Sequence, residues 1–338
     1  MLFRSTLKNN DEISKQSAEV LCHNVPFVIL PEGTHRPMHS LLPLGKGIFR
    51  IALLANEEIA GEKPVYIVPI GIEYGNFFRY RSSLLLQIGH PINVTDFVKA
   101  HPNKEEPVMM NDLKERLQED LKDLILYIPD DVHYDATLEL CNMSCYDRID
   151  QLSLKHRVLK NRLTANRFTV SLIQNRKEAE ADKTIKILEE IAAFAESRKR
   201  KKISMASVAN PNPVMTIIYR SLLLLLLLPC FIVSSILYAP TLLASYLLCS
   251  RMEDRAFHNS VRFVTTLLLW TITFVALAIT VFGLFEWELA LALSLVFLPS
   301  PLTFYQYYKW FRTTRSHIRW ILAKDLRTTK KRFVEWIL

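Results

Sequence analysis

Three runs of this chain, residues 221–248, 263–285 and 289–308, contain no charged side chain. A helix needs about 20 apolar residues to cross a hydrocarbon core of roughly 30 Å. Soluble core helices rarely reach such lengths without a charge, so the C-terminal third is expected to be an α-helical transmembrane region. A very apolar soluble bundle is the competing reading.

The flanking charges constrain its topology. Between Lys309 and Arg332 nine Lys or Arg stand against one acid, Asp325, so this stretch carries a net charge equal to the whole chain's +8. Basic tails also suit nucleic acid. Adjacency to an apolar span favours membrane lipids instead, because anionic headgroups attract juxtamembrane cations by about 1 kcal/mol each; no nucleic acid is expected as a partner. A second cluster, Arg198-Lys199-Arg200-Lys201-Lys202, closes the preceding polar part. Cytoplasmic flanks carry the excess of Lys and Arg, so both clusters are predicted to be cytoplasmic and the crossings even in number. Glu286-Trp287-Glu288 carries no basic residue and suits the far side, making 263–285 and 289–308 an out-and-back pair. Block 221–248 is short for two crossings and contains Pro229 and Pro240, which break helices. The sequence predicts a broken, partly penetrating hairpin over 214–248; a third full crossing is the alternative, and would put the basic tail on the other side.

Residues 1–100 alternate in type. A helix is predicted over Asp11–His23, a short buried strand at Phe27–Leu30, a helix over Gly47–Ile59, and strands at Val65–Ile70 and Leu84–Ile88. Alternation of this kind argues for an α/β sandwich with a largely parallel sheet. Residues 101–202 are helical in pattern: an amphipathic helix over Asp112–Tyr127, then one or two long helices from Tyr134 to Lys202, free of Gly and Pro. Asn210-Pro211-Asn212-Pro213 breaks the chain before a membrane region at 214–308, and 309–338 forms the basic tail. Of five cysteines, Cys141 and Cys145 share a helix face, but no His or further Cys stands near enough to complete a metal site. They read as reduced, buried thiols.

The chemistry lies early in the chain. Pro31-Glu32-Gly33-Thr34-His35-Arg36 follows the apolar run Phe27–Leu30, and Leu41-Leu42-Pro43-Leu44-Gly45-Lys46-Gly47 follows in turn. Gly33 permits a tight turn, Thr34 offers a hydroxyl, and Arg36 and Lys46 offer cations. Gly45 and Gly47 keep the approach to a helix start open. Amides at a helix N-terminus together with cations make an anion site, with an organic phosphate as its natural guest. A third block, Val65-Tyr66-Ile67-Val68-Pro69-Ile70-Gly71-Ile72, comes next.

In order and spacing these three blocks, within residues 1–95, resemble the glycerolipid acyltransferase family, the glycerol-3-phosphate and 1-acyl-glycerol-3-phosphate (lysophosphatidic acid) acyltransferases. The resemblance implies a membrane-bound O-acyltransferase of phospholipid synthesis. It would move a fatty acyl group from acyl-CoA or acyl carrier protein, the co-substrate, to a hydroxyl of a glycerol-phosphate or lysophospholipid acceptor, with no metal or other cofactor. By the same resemblance Glu32, Gly33 and Thr34 bind the acceptor. His35 occupies the place where the family usually has Arg, with Arg36 next. Arg4 ends an earlier block that contacts the acceptor phosphate, and Pro69 lies in a block for donor binding and packing. The helical insert and membrane part resemble a bacterial branch, which implies an inner-membrane location with the N-terminal domain cytoplasmic.

One element departs from the family pattern. Family members use His-x-x-x-x-Asp as the base that takes the acceptor hydroxyl's proton. None of the nine histidines has an Asp five residues on. His90 has Asp96 six on, but after the last block; His35 and His39 lie in the acceptor loop and read as loop or phosphate-contact residues. The expectation is a chain that begins inside a family block, N-terminally truncated, lacks the first block and is inactive alone. A non-catalytic membrane protein binding phospholipid headgroups or a partner enzyme is the alternative. A lipid transporter is weaker still, because the apolar runs hold no charge pair to mark a path.

Overall fold

The computed structural model describes residues 7–34, 36–77, 82–155, 158–254 and 257–338, with side chains from Glu12 onward. It is mostly helical and divides into two units. The first takes the described residues up to Gly75 together with Ser83–Pro129; the second takes the described residues of Asn76–Ser82 and Asp130–Leu338.

In the first unit helices α1 (Leu7–Cys22), α2 (Gly47–Ile59) and α4 (Glu106–Lys122) share one core with strands β1 (Tyr66–Ile67) and β4 (Ile92–Asn93). Helix α3 (Val94–Ala100) follows β4 directly. Met110, Leu113, Leu117 and Leu121 recur at helical spacing along α4 and are buried there with Phe49, Leu53 and Ile67. Such a stripe is what binds an amphipathic helix to its neighbours. Pro107 sits in the first turn of α4, where its missing N–H costs nothing. The helix therefore begins before the predicted Asp112 and ends before Tyr127.

The expected α/β sandwich with a largely parallel sheet is corrected. Two antiparallel pairs form instead, β1 with β4, and β2 (Ile70–Tyr74) with β3 (Leu84–Ile88). Parallel neighbours need a crossover of a dozen or more residues, whereas here the chain reverses once and returns alongside itself. Ile67 opposes Ile92 and Ile70 opposes Ile88, so three residue steps on one side face four on the other. The interruption falls where Pro69 and Pro91 offer no N–H to a ladder. The Gly89 N–H, donating to the Pro69 carbonyl at 2.9 Å, bridges it. Among the described residues Phe27–Leu30 joins no strand, and Val28 and Leu30 are exposed rather than buried.

Alternation gives the β2–β3 ribbon two unlike faces. Ile70, Ile72 and Tyr74 lie opposite Ile88, Leu86 and Leu84 on an exposed face. Gly71 and Glu73 point the other way and are buried. There the segment after α4 is laced to the ribbon. Gln87 Nε2 donates to the Leu124 carbonyl at 2.5 Å, and the Leu126 N–H donates to Glu73 Oε2 at 3.1 Å.

In the second unit the predicted one or two long helices are three: α5 (Tyr134–Gln151), α6 (Leu159–Ala179) and α7 (Ala181–Arg200). Cys141 and Cys145 are buried on α5, and burial pushes the Cys141 thiol up. The basic stretch from Lys309 onward is largely helical. It belongs to α14 (Ser300–Leu322) and α15 (Lys324–Ile337), and Trp320, Leu326, Phe333, Val334 and Ile337 enter the core of α5–α7. Their spacing puts the apolar residues on one side and leaves most cations on the other. Arg148, wholly buried on α5, donates from Nη2 to the Ile337 carbonyl at 2.8 Å, satisfying the end of α15.

Asp130 precedes α5 and organises its start. Its Oδ1 accepts the N–H groups of Val132 and His133, and its Oδ2 meets Lys177 Nζ and His133 Nδ1. Burial opposes ionisation, but the hydrogen bonds from Lys177 and His133 outweigh it and hold this carboxyl well below the usual carboxylate range. A depressed folded pKa contributes stability that is present above the unfolded value, near 4, and is lost as pH falls through the folded value. Asp130→Asn is therefore expected to lower the urea midpoint at pH 6 and to flatten its decline below about pH 4. Parallel acid profiles for the two proteins would remove the assignment.

Among the described residues two helices are long and apolar enough to cross a membrane. One is α10 (Leu228–Ser250); the other, His258–Leu284, comprises α11 (His258–Thr265), a π-helical turn (Thr266–Trp270) and α12 (Thr271–Leu284). Helix α13 (Trp287–Phe297) and α14, bent by 41° at their junction, make a third if they act as one span. Helix α9 (Pro213–Leu226) is apolar but shorter. The two prolines of 214–248 take different places in α10. Pro229 lies in the first turn of α10, so it starts that helix; Pro240 lies inside it and the helix runs on. Neighbouring helices make an internal proline tolerable in such a setting. Ser234, Tyr238, Thr241, Ser245 and Cys249 form the buried seam of α10, whereas Ile232, Ile236, Leu243 and Leu247 face outward. Tyr238 Oη and Thr266 Oγ1 are hydrogen-bonded at 2.6 Å, joining α10 to the π-turn.

Candidate functional site

The loop between Leu30 and α2 is closed on itself. The Gly45 N–H donates to the Pro31 carbonyl at 2.7 Å, and the Leu42 N–H donates to Glu32 Oε2 at 3.2 Å. These two bonds bring the Pro-Glu-Gly-Thr block beside the Gly-Lys-Gly block, fifteen or so residues on in sequence. Glu32 thus acts as a brace across the loop, half-buried, rather than as an exposed charge.

Gly33 adopts φ +64°, the left-handed region that β-carbon sterics disfavour. With its neighbour Thr34 it is exposed, as are Gly45, Lys46 and Gly47 across the loop. A Cβ built on Gly33 or Gly47 would meet no atom within 4 Å, so both approaches are open. Lys46 stands at the N-cap of α2 without a side-chain cap bond. The first amides of the helix have no helical acceptor. Arg36 is half-buried in the same loop. Arg4 and His35 lie outside the described residues.

His39 is fixed from two directions. Its carbonyl accepts the Ile128 N–H at 2.8 Å, and its Nδ1 lies 3.2 Å from Glu73 Oε1. Glu73 in turn holds the Leu126 N–H. The loop, the ribbon and the 124–128 segment are therefore tied together through one buried carboxylate. Sequence reasoning passed over Glu73. Its signal was an acid on the inward side of an apolar alternation, Ile70-Gly71-Ile72-Glu73-Tyr74. Gly71 in the third block has a packing role, because a Cβ there would lie 2.5 Å from Leu124 Cβ. Pro69 sits at the ribbon interruption already described.

Among the described residues no three His, Cys, Asp or Glu side chains converge as metal ligands. Comparison of the chain with protein-family models, with curated proteins and with solved structures finds no match.

Proposed function

We propose that the chain is a membrane-bound protein of the glycerolipid acyltransferase type, whose 31–47 loop takes the phosphate of a glycerol-phosphate or lysophosphatidic acid acceptor. The reaction of that type joins the acceptor hydroxyl to a fatty acyl group carried by acyl-CoA or acyl carrier protein, releasing the thiol. One observation supports the reading above the others: loop closure brings the block holding exposed Gly33 and Thr34 beside the exposed Gly45-Lys46-Gly47 segment that starts α2. A cation beside uncapped helix amides suits a phosphate dianion. Glu32 contributes by holding the loop shut.

Binding and turnover are expected to separate. The sequence holds no His-x-x-x-x-Asp, and His39 is held between Glu73 and Ile128 as part of the loop's support. The purified full chain should bind lysophosphatidic acid while transferring acyl groups slowly or not at all, since an absent general base costs about 10²–10⁴ in rate. In this reading the N-terminal part and α15 are cytoplasmic, as expected of positive flanks, in a bacterial inner membrane by the resemblance.

Titration of the detergent-solubilised chain with lysophosphatidic acid and with the uncharged monoacylglycerol tests it. The phosphate-bearing lipid should bind more tightly, and Lys46→Ala should weaken it about tenfold, the loss of one charge-assisted hydrogen bond. Equal binding of the two lipids, or no effect of Lys46→Ala, would sink the assignment.

A further inference from the structure

We propose that the second unit carries a separate site for the phosphorylated headgroup of an anionic membrane lipid. It is a cavity of about 1030 Å³ lined by six cations, Lys202, Arg262, Lys309, Arg312, Arg315 and Arg319, and among the described residues no acidic side chain lines it. The site lies on other residues than the 31–47 loop and does not rest on the reading of that loop.

Four cations of this unit outside the cavity meet carboxylates. Arg198 meets Glu139, Lys201 meets Asp325, Lys177 meets Asp130, and Arg332 meets Glu190. Six like charges around one cavity repel each other, and an occupant carrying phosphate would relieve that repulsion. Their sources in the fold are unrelated: Lys202 ends the α5–α7 bundle, Arg262 lies in α11, and four come from α14 at intervals of three or four residues. That spacing puts Lys309, Arg312, Arg315 and Arg319 along one side of the helix. Convergence of three chain segments is a built concavity, not the solvated face of one helix.

The location points to lipid. Arg262 stands in the first turns of the His258–Leu284 span, and α14 becomes basic at Lys309, directly after its apolar part. Both mark the level where headgroups lie. Tyr305, Tyr308 and Phe311 share the lining, and aromatic side chains favour that same interface. Ser204 and Ser316 add hydroxyls at the inner wall, hydrogen-bonded to each other and to the Ser207 hydroxyl. The volume exceeds what a lone inorganic phosphate fills, and suits a headgroup with its glycerol.

The full chain in detergent should be titrated with dioctanoyl phosphatidylglycerol, dioctanoyl phosphatidylcholine and inorganic phosphate, reading thermal stabilisation and affinity. Phosphatidylglycerol is expected to bind most tightly. The double variant Arg312→Gln with Arg315→Gln should weaken it about thirtyfold, taking about 1 kcal/mol per cation. Arg200→Gln, an exposed cation paired with Glu196, should leave affinity unchanged, and circular dichroism of each variant separates lost binding from lost fold. Phosphatidylcholine binding equally well would overturn the proposal. Inorganic phosphate matching the lipid would overturn the lipid assignment in favour of a soluble anion. A double variant that folds and binds like the parent would overturn the site.

Discussion

Glu139→Ala is expected to destabilise the helical bundle of the second unit by about 3–5 kcal/mol, the range for removing one partner of a buried ion pair. Arg198 is the reason. Its Nε donates to Glu139 Oε1 at 2.5 Å and its Nη2 to Oε2 at 2.8 Å, while Nη1 donates to the Ile203 carbonyl at 2.6 Å. The fork satisfies both carboxylate oxygens and also holds the turn after α7. Glu139 is 6% exposed and Arg198 9%, so truncation strands a guanidinium where water cannot replace the lost acceptor. Exposed pairs of the same unit, such as Arg200 with Glu196, contribute only about 0–1 kcal/mol. Denaturant unfolding of the full chain in a mild detergent, followed by tryptophan fluorescence, measures the difference; Trp320 lies in the affected core. The double variant Glu139→Leu with Arg198→Met should recover most of the loss, because an apolar pair leaves no charge uncompensated. A single-variant loss below about 1 kcal/mol would show that Arg198 finds another partner.

The second large effect belongs to the first unit. Gly71→Ala should cost about 1–3 kcal/mol and loosen the β2–β3 ribbon, as an overpacked core site does. The added Cβ would sit 2.5 Å from Leu124 Cβ, 2.7 Å from its carbonyl oxygen and 2.9 Å from its carbonyl carbon. Two of those three atoms are backbone, so a rotamer change cannot relieve the contact. Nor can the segment retreat easily, because Gln87 and Glu73 hold it at Leu124 and Leu126. Leu124→Ala should therefore fail to rescue Gly71→Ala, since alanine keeps the clashing Cβ. Faster amide hydrogen exchange across β2 and β3, with α10 unchanged, is the expected signature. Unaltered exchange in the ribbon would mean that the 124–128 segment is displaced at little cost.

Long-range polarity was legible in the sequence, and pairing was not. Charge-free runs marked α10 and His258–Leu284, the two described helices long and apolar enough to cross a membrane, because the bilayer imposes a length that no local rule can mimic. The helix over Gly47–Ile59 and the strand over Leu84–Ile88 stand where the sequence put them, each bounded by its own residues. Strand direction was misjudged, since alternation of strands and helices names a layer type only if a crossover joins neighbouring strands, and here one reversal does. Proline was read as a breaker at both positions in α10, although its effect depends on whether the lost N–H was needed. The basic stretch from Lys309 looked like a tail because nine cations stand against one acid up to Arg332. Leu326, Phe333, Val334 and Ile337 nonetheless lie on one side and bury it. In the acceptor loop the residue types were visible, but the closure between Pro31 and Gly45 was not, because a backbone hydrogen bond leaves no compositional trace. Glu73 escaped for a related reason: its two partners, the Leu126 N–H and the His39 ring, are distant in sequence.

The seam of α10 carries a consequence for how this chain can diverge. In a water-soluble bundle the inward residues are large and apolar, and selection guards their volume. Along α10 the inward residues are Ser234, Tyr238, Thr241, Ser245 and Cys249, while the bulky aliphatic ones face out. Lipid-facing helices hold together through close approach of small side chains and shared hydrogen bonds, without a hydrophobic force between them. The outward leucines are then interchangeable with any residue of similar greasiness, and the inward serines are not. Descendants of this sequence should drift on the greasy side of α10 and stay fixed on the polar side, the reverse of the pattern in α4, where Leu113 and Leu117 are the buried members.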